Sequence, residues 1–232
     1  MTNRTRFDQE LESLKLNLIK MGDLVIKNIH ASLKSFLDMN LELANIQIKK
    51  DEEVNEKEYS IEKECMRIIL REQPVAKDLR LITSILKMIT DLERIGDHAV
   101  DIAKLTVFME KSNKPFFVDE IYHMVDKSED MIKLALESFV NYDLDLANQV
   151  VKMDDIVDKD FYDIRRIVAD AIRNRKIDAD YAVYLMMVAK YLERIGDHAV
   201  NLAEWVIFSI TGKHISDWGK YEIINIYCRR WF

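Results

Sequence analysis

Glu93-Arg94-Ile95-Gly96-Asp97-His98-Ala99-Val100 recurs without a change at Glu193-Arg194-Ile195-Gly196-Asp197-His198-Ala199-Val200. An identity of this length, 100 positions apart, marks an internal duplication, so the chain must fold as two copies of one unit. The repeat reaches further. Leu41-Glu42-Leu43-Ala44-Asn45 matches Leu144-Asp145-Leu146-Ala147-Asn148, and Ser35-Phe36 matches Ser138-Phe139, both at a spacing of 103. Met21 with Met124, Asp23 with Asp126 and Tyr59 with Tyr162 follow the same spacing. The fall from 103 to 100 puts three extra residues in the first copy, between about Ile61 and Asp91. Loops tolerate length changes, so the expected place is around Gln73-Pro74-Val75-Ala76.

Two prolines and five glycines in 232 residues leave few helix breakers. Each copy reads as three helices, roughly 6–38, 41–71 and 77–110, then 117–140, 144–173 and 179–210. Asn40, Asp143 and Asp178 stand where N-caps belong, Pro74 ends one helix, and Pro115 begins the connection between copies. Leu11, Leu14, Leu18, Met21, Val25, Ile29 and Leu33 trace an apolar stripe at three-four spacing. The expected fold is all-α: two pseudo-symmetric antiparallel three-helix bundles, residues 1–112 and 113–214, joined near Ser112–Pro115, with a tail at 215–232.

Hydrophobic residues at 49% and charged residues at 32% fit a globular chain with ample core. A net charge of −7 argues against nucleic acid as a partner, which needs a positive surface. The N-terminus has no apolar signal core, and the longest apolar run, Tyr181 to Leu192, is broken by Lys190 and too short to span a bilayer. The expected location is the cytoplasm. Cys65 and Cys228 make neither a disulfide framework nor a zinc site, and Cys65 sits in a helical pattern as a small core residue.

The charged residues of the repeat suggest a site made twice. Glu93 and Asp97 are four apart, as are Glu193 and Asp197, so each pair projects from one helix face. Like charges at that spacing cost about 0.2–0.5 kcal/mol in an isolated helix, and something should offset the repulsion. The second helix of each copy carries a partner pair, Asp51 with Asn55 and Asp154 with Asp158. Side by side, these faces would offer oxygen donors to a hard cation such as Mg²⁺, Mn²⁺ or iron. Against this stand a simple solvated acidic face and salt bridges from Arg94 and Arg194 to the next helix. Gly96 and Gly196, within the buried stripe, would let a neighbouring helix come close. His98 and His198 lie five residues after the Glu, so the Glu-x-x-His pattern of di-iron bundles is absent. Nucleotide-loop, dinucleotide, serine-hydrolase and zinc-protease motifs are missing as well.

Asp91-Leu92-Glu93-Arg94-Ile95-Gly96-Asp97, its repeat, and Gln73-Pro74-Val75-Ala76-Lys77-Asp78-Leu79-Arg80 resemble the PhoU family of bacterial phosphate-uptake regulators. Asp51-Glu52-Glu53-Val54-Asn55 and Asp154-Asp155-Ile156-Val157-Asp158 resemble its two helix-two motifs, and the likeness covers about residues 5–214. The resemblance implies two three-helix bundles and a non-enzymatic role restraining the phosphate ABC transporter and the phosphate-regulon histidine kinase. The implied partners are the transporter's ATPase subunit and that kinase, met at the inner face of the membrane; a second copy of the chain is a further expected partner. Some members carry metal clusters, which implies ligands at Asp51, Glu93 and Asp97, and at Asp154, Asp158, Glu193 and Asp197, for divalent or trivalent ions (iron, zinc, magnesium or manganese). Asn55 replaces a carboxylate, so the first site is expected to be the weaker.

Two other functions compete: a metal-dependent hydrolase of phosphate compounds, disfavoured by the lack of a separate base or a basic phosphate cradle, and a metal-free helical scaffold. After Lys213 the chain departs from the family pattern with an aromatic and basic end, Ile223 to Phe232, read as a segment that packs on the bundle or frays, in preference to a membrane or partner contact.

Overall fold

The computed structural model describes residues 3–109, 116 and 118–213. The helices are α1 (Asn3–Leu37), α2 (Leu41–Lys49), α3 (Asp51–Glu72), α4 (Ala76–Phe108), α5 (Asp119–Asn141), α6 (Leu144–Arg173) and α7 (Ala179–Thr211), with no strand among the described residues. The expected connection at Ser112–Pro115 and the tail at 215–232 lie outside those residues.

The repeated segments outside the octapeptide build one corner twice. Met39 and Tyr142 turn left-handed, with φ of 48° and 54°. The side chains of Asn40 and Asp143 then accept from Leu43 N and Leu146 N, both at 2.9 Å, and cap the next helix. Asn40 N and Asp143 N donate back to the carbonyls of Ser35 and Ser138 at 2.8 and 2.9 Å. Asp178 caps α7 through Asp180 N and Tyr181 N.

Two expectations need correction. The helix expected over 41–71 is interrupted at Lys50, which keeps right-handed helical angles (φ −73°, ψ −8°). There, three-residue bonds, Lys50 N to Gln47 O and Glu53 N to Lys50 O, tighten one turn and start a new helix whose first turn is acidic. The duplicate residue, Met153, lies inside an unbroken α6. The extra residues of the first copy are not in the loop, which is shorter there than between α6 and α7. They lengthen α3 beyond Leu70, the duplicate of Arg173, and start α4 before Leu79, the duplicate of Ala179. The two expected bundles share one core.

The most extensive helix contact among the described residues is α4 on α7, across the two halves. Lys87 meets Trp205, Asp91 meets Asn201, His98 meets His198 and Tyr184 meets the Phe108 carbonyl, so the helices run antiparallel. That register lays one octapeptide across the other in the middle of the interface. Helix α1 crosses α5 antiparallel as well, with Gly22 against Leu136 and His30 paired to Glu129. A Cβ at Gly22 would sit 2.2 Å from Leu136 Cδ1, the far end of that side chain, so Leu136 would have to turn aside to admit a larger residue. These four helices form the centre; α3 flanks α1 and α4, while α6 flanks α5 and α7. The buried stripe of α1 and the Leu92, Ile95, Ala99, Leu192, Ile195 and Ala199 positions join one continuous core.

One shared core predicts one unfolding transition. Ile85 and Leu185 occupy duplicate positions on α4 and α7, and both are fully buried. Ile85→Ala and Leu185→Ala should each cost about 2–5 kcal/mol and shift the same single calorimetric transition. Two transitions, each sensitive to only one substitution, would show independent halves.

Candidate functional site

Each octapeptide turns its Ile and Ala residues inward and its carboxylates toward the flanking helix. The glycine sets the distance. A Cβ on Gly96 would stand 3.1 Å from Val54 Cγ1 of α3, and one on Gly196 would stand 3.3 Å from Val157 Cγ1 of α6 and 3.5 Å from Asp154 Oδ1. The duplicated valines thus seat on the duplicated glycines, which brings Asp51 and Asp154 alongside the Glu-Asp pairs.

In the second half all four expected residues come together. Burial pushes the Asp154 carboxyl up to about 7, with the charges of Asp158, Asp197 and Glu193 adding to the effect. Burial and Glu193 raise Asp158. Asp197 is raised by burial and Glu193, although its outer edge is open to solvent. Lys190 supplies the local positive charge, 2.5 Å from Glu193 Oε2.

In the first half Asp51, Glu93 and Asp97 converge: burial and the Asp97 charge raise both Asp51 and Glu93. Asn55 is half-buried on the same helix. The sequence reading missed Glu58. It lies seven residues after Asp51, on the same face of α3, and burial with the charges of Glu62 and Asp97 raises its carboxyl against the opposing hydrogen bond from Thr90 (3.3 Å). Its duplicate is Phe161 and that of Thr90 is Lys190, so a search restricted to repeated positions passes over both. The seven-residue spacing was the available signal. Arg94 is bound within its own helix, 3.4 Å from Glu93 and 3.0 Å from Asp97, and does not bridge to the next helix as one reading had it.

The histidines belong to the interface. His198 Nδ1 lies 2.8 Å from Asp91 Oδ1, which also accepts from Asn201 at 3.0 Å. His98 instead stacks on Tyr191, the duplicate of Asp91, and its Nδ1 is buried without a partner among the described residues. The two rings lie 5.6 Å apart.

Among the described residues no group of three or more His, Cys, Asp or Glu side chains stands ready-made in ligand geometry. The donor set nevertheless fits a hard cation: oxygen donors from two facing helices, with a carboxyl that holds its proton near neutrality. A cation entering there would replace that proton. The Asp154 value is raised on folding, so its contribution to stability is full below the unfolded value of 3.8 and is lost as pH rises through about 7. Asp154→Asn has no charge to acquire. In chelator its unfolding midpoint should gain on the wild type progressively from about pH 4 to about pH 8. A difference independent of pH would contradict the buried acidic cluster.

A PhoU domain model matches residues 18–106 and again 121–206, one match in each half. A relative from Clostridium acetobutylicum, named phosphate-specific transport system accessory protein PhoU homolog, is 37% identical over 91% of this chain and 97% of its own. The Pseudomonas aeruginosa relative of the same name is 34% identical over 95% and 93%. The crystal structure of PhoU from Pseudomonas aeruginosa superposes with a TM-score of 0.80 at 35% identity, covering 89% of this chain and all of that one. The phosphate transport system regulatory protein PhoU from Streptococcus pneumoniae gives 0.82 at 25% identity, covering 90% and 98%. Duplication, corner and crossed octapeptides thus occur in a chain that belongs to the PhoU family.

Proposed function

We propose that this chain is a non-enzymatic accessory protein of phosphate-specific transport, which restrains uptake and phosphate-regulon signalling when phosphate is plentiful. The observation that carries the reading is likeness along nearly the whole length to relatives named as accessory proteins of that system. Its partners in this reading are the transporter's ATPase subunit and the phosphate-regulon histidine kinase, reached from the cytoplasm at the inner face of the membrane, and a second copy of the chain. No helix among the described residues is long and apolar enough to cross a membrane, which is compatible with attachment through partners.

The acidic faces add cation binding to this role. Asp154, Asp158, Glu193 and Asp197 hold one ion or cluster, and Asp51, Asn55, Glu58, Glu93 and Asp97 another, with iron, zinc, magnesium and manganese as candidates. Glu58 makes up the carboxylate that Asn55 lacks, so four carboxylates stand in each half. Each half also holds a competing cation, Arg94 beside Glu93 and Asp97 in the first and Lys190 beside Glu193 in the second. This removes the ground for expecting the first site to be the weaker.

Deleting the gene should raise phosphate uptake or phosphate-regulon expression in high phosphate, and the intact gene should restore repression. Unchanged uptake and expression in a strain without a second copy of the gene would refute the regulatory role. Protein purified without chelator should contain metal, and the Glu193→Ala, Asp197→Ala double variant should hold less while keeping its helical spectrum. Wild-type protein without metal under any loading would remove cation binding from the account.

A further inference from the structure

Among the described histidines, His123 differs from the rest in what it leaves open. His30 gives its Nε2 to Glu129, which leaves only Nδ1, the nitrogen nearer the main chain. His98 and His198 lie ring to ring in the α4–α7 interface. His123, on α5, turns its Nδ1 to Asp160 of α6 at 2.5 Å. The His123 side chain is 49% exposed, whereas that of Asp160 is only 9% exposed. No group among the described residues engages the His123 Nε2.

The duplication shows that the fold does not require this pair. The duplicates of His123 and Asp160 are Lys20 and Lys57, so the same unit folds with two lysines there. The second copy departs from the first at both positions at once, and the two departures fit each other. A buried carboxylate is costly without a hydrogen bond, and His123 supplies one.

That bond also sets the chemistry of the ring. A carboxylate only accepts, so the ring proton sits on Nδ1 and the Nε2 lone pair stays available. An imidazole held in this way is a nucleophile oriented by a third group. An acyl group on an exposed imidazole is quickly lost to water, whereas a phosphoryl group persists long enough to be passed on. The phosphorus–nitrogen bond is itself high in free energy, so the donor must be comparably activated. Acyl phosphates meet that condition; phosphate esters and inorganic phosphate do not. Asp119 and Asp126 stand within a turn of His123 on α5, so this surface does not gather free phosphate, and the activated donor supplies the driving force. Lys127, four residues on, lies on the same helix face. Its ammonium is 3.0 Å from the exposed Asp130, a pair of the kind that exchanges at little cost for a phosphoryl oxygen.

We propose that His123 is a phosphoryl-acceptor site, oriented by Asp160 and phosphorylated by an acyl phosphate. Nε2 attacks phosphorus, the bond from phosphorus to the acyl oxygen breaks, and the carboxylate leaves with its electron pair. The proton stays on Nδ1, where Asp160 faces the positive charge that the ring acquires. The proposal goes beyond the regulatory reading and does not depend on the acidic clusters holding metal.

The test incubates the full-length chain, labelled with ¹⁵N-histidine, with acetyl phosphate and, separately, with a response-regulator receiver domain carrying an aspartyl phosphate. The chain should gain one acid-labile, base-stable phosphoryl group, with ³¹P coupling to Nε2 of His123. His123→Gln should take no label. Asp160→Asn should label at least about tenfold more slowly, since the amide no longer fixes the tautomer. Circular dichroism checks both folds, and if Asp160→Asn does not fold, His123→Gln decides alone. Label from acetyl phosphate alone would name a small acyl phosphate as the source, and label from the receiver domain alone would name a protein; either supports the proposal. No label from either donor, label retained in His123→Gln, or folded Asp160→Asn labelled at the wild-type rate would overturn it.

Discussion

The antiparallel packing of α4 on α7 is the contact on which the rest of the molecule depends. It sets the octapeptide copies across each other, so one helix segment does two jobs in each half. Its Ile and Ala residues make the junction between halves, and its Glu and Asp face outward to α3 or α6. Gly96 and Gly196 serve the second job. They let Val54 and Val157 seat closely, and without that approach the carboxylates of the flanking helices would stand off from the Glu-Asp pairs. The price of a helical glycine, about 1 kcal/mol against alanine, is offset by that packing.

Two copies of one unit have drifted in the charges around this shared frame. Asp91 holds His198, whereas its duplicate Tyr191 stacks on His98. Glu58 receives a hydrogen bond from Thr90 where the other half has Phe161 beneath the Lys190 ammonium. One acidic cluster is thus tempered by Arg94 on its own helix, and the other by Lys190. Carboxylates pressed together in this way oppose folding unless protonated or matched by a cation. Asp154, pushed up to about 7, shows where that tension is greatest.

Local signals were legible in the sequence. The caps at Asn40, Asp143 and Asp178 rest on bonds to residues two or three positions away, and the stripe on α1 gives its buried face directly. The pairing of α4 with α7 was not legible, because an apolar stripe says which face is buried and not against what. The break at Lys50 carries no proline or glycine to announce it. The three added residues were assigned to a loop by a general rule, whereas here helix ends absorbed them. For the site, the repeated positions Asp51, Glu93, Asp97, Asp154, Glu193 and Asp197 could be found by duplication alone. Glu58 and Lys190 lay outside that search because they are what the two halves do not share.

The central claim is that the crossed octapeptides carry acidic clusters able to hold cations. Diffraction at the manganese absorption edge from crystals grown with Mn²⁺ tests it most directly. The account predicts anomalous density between α6 and α7, within coordination distance of Asp154, Asp158, Glu193 or Asp197, and a second peak beside Asp51, Glu58, Glu93 and Asp97. A well-ordered map with no anomalous density at either cluster would contradict it.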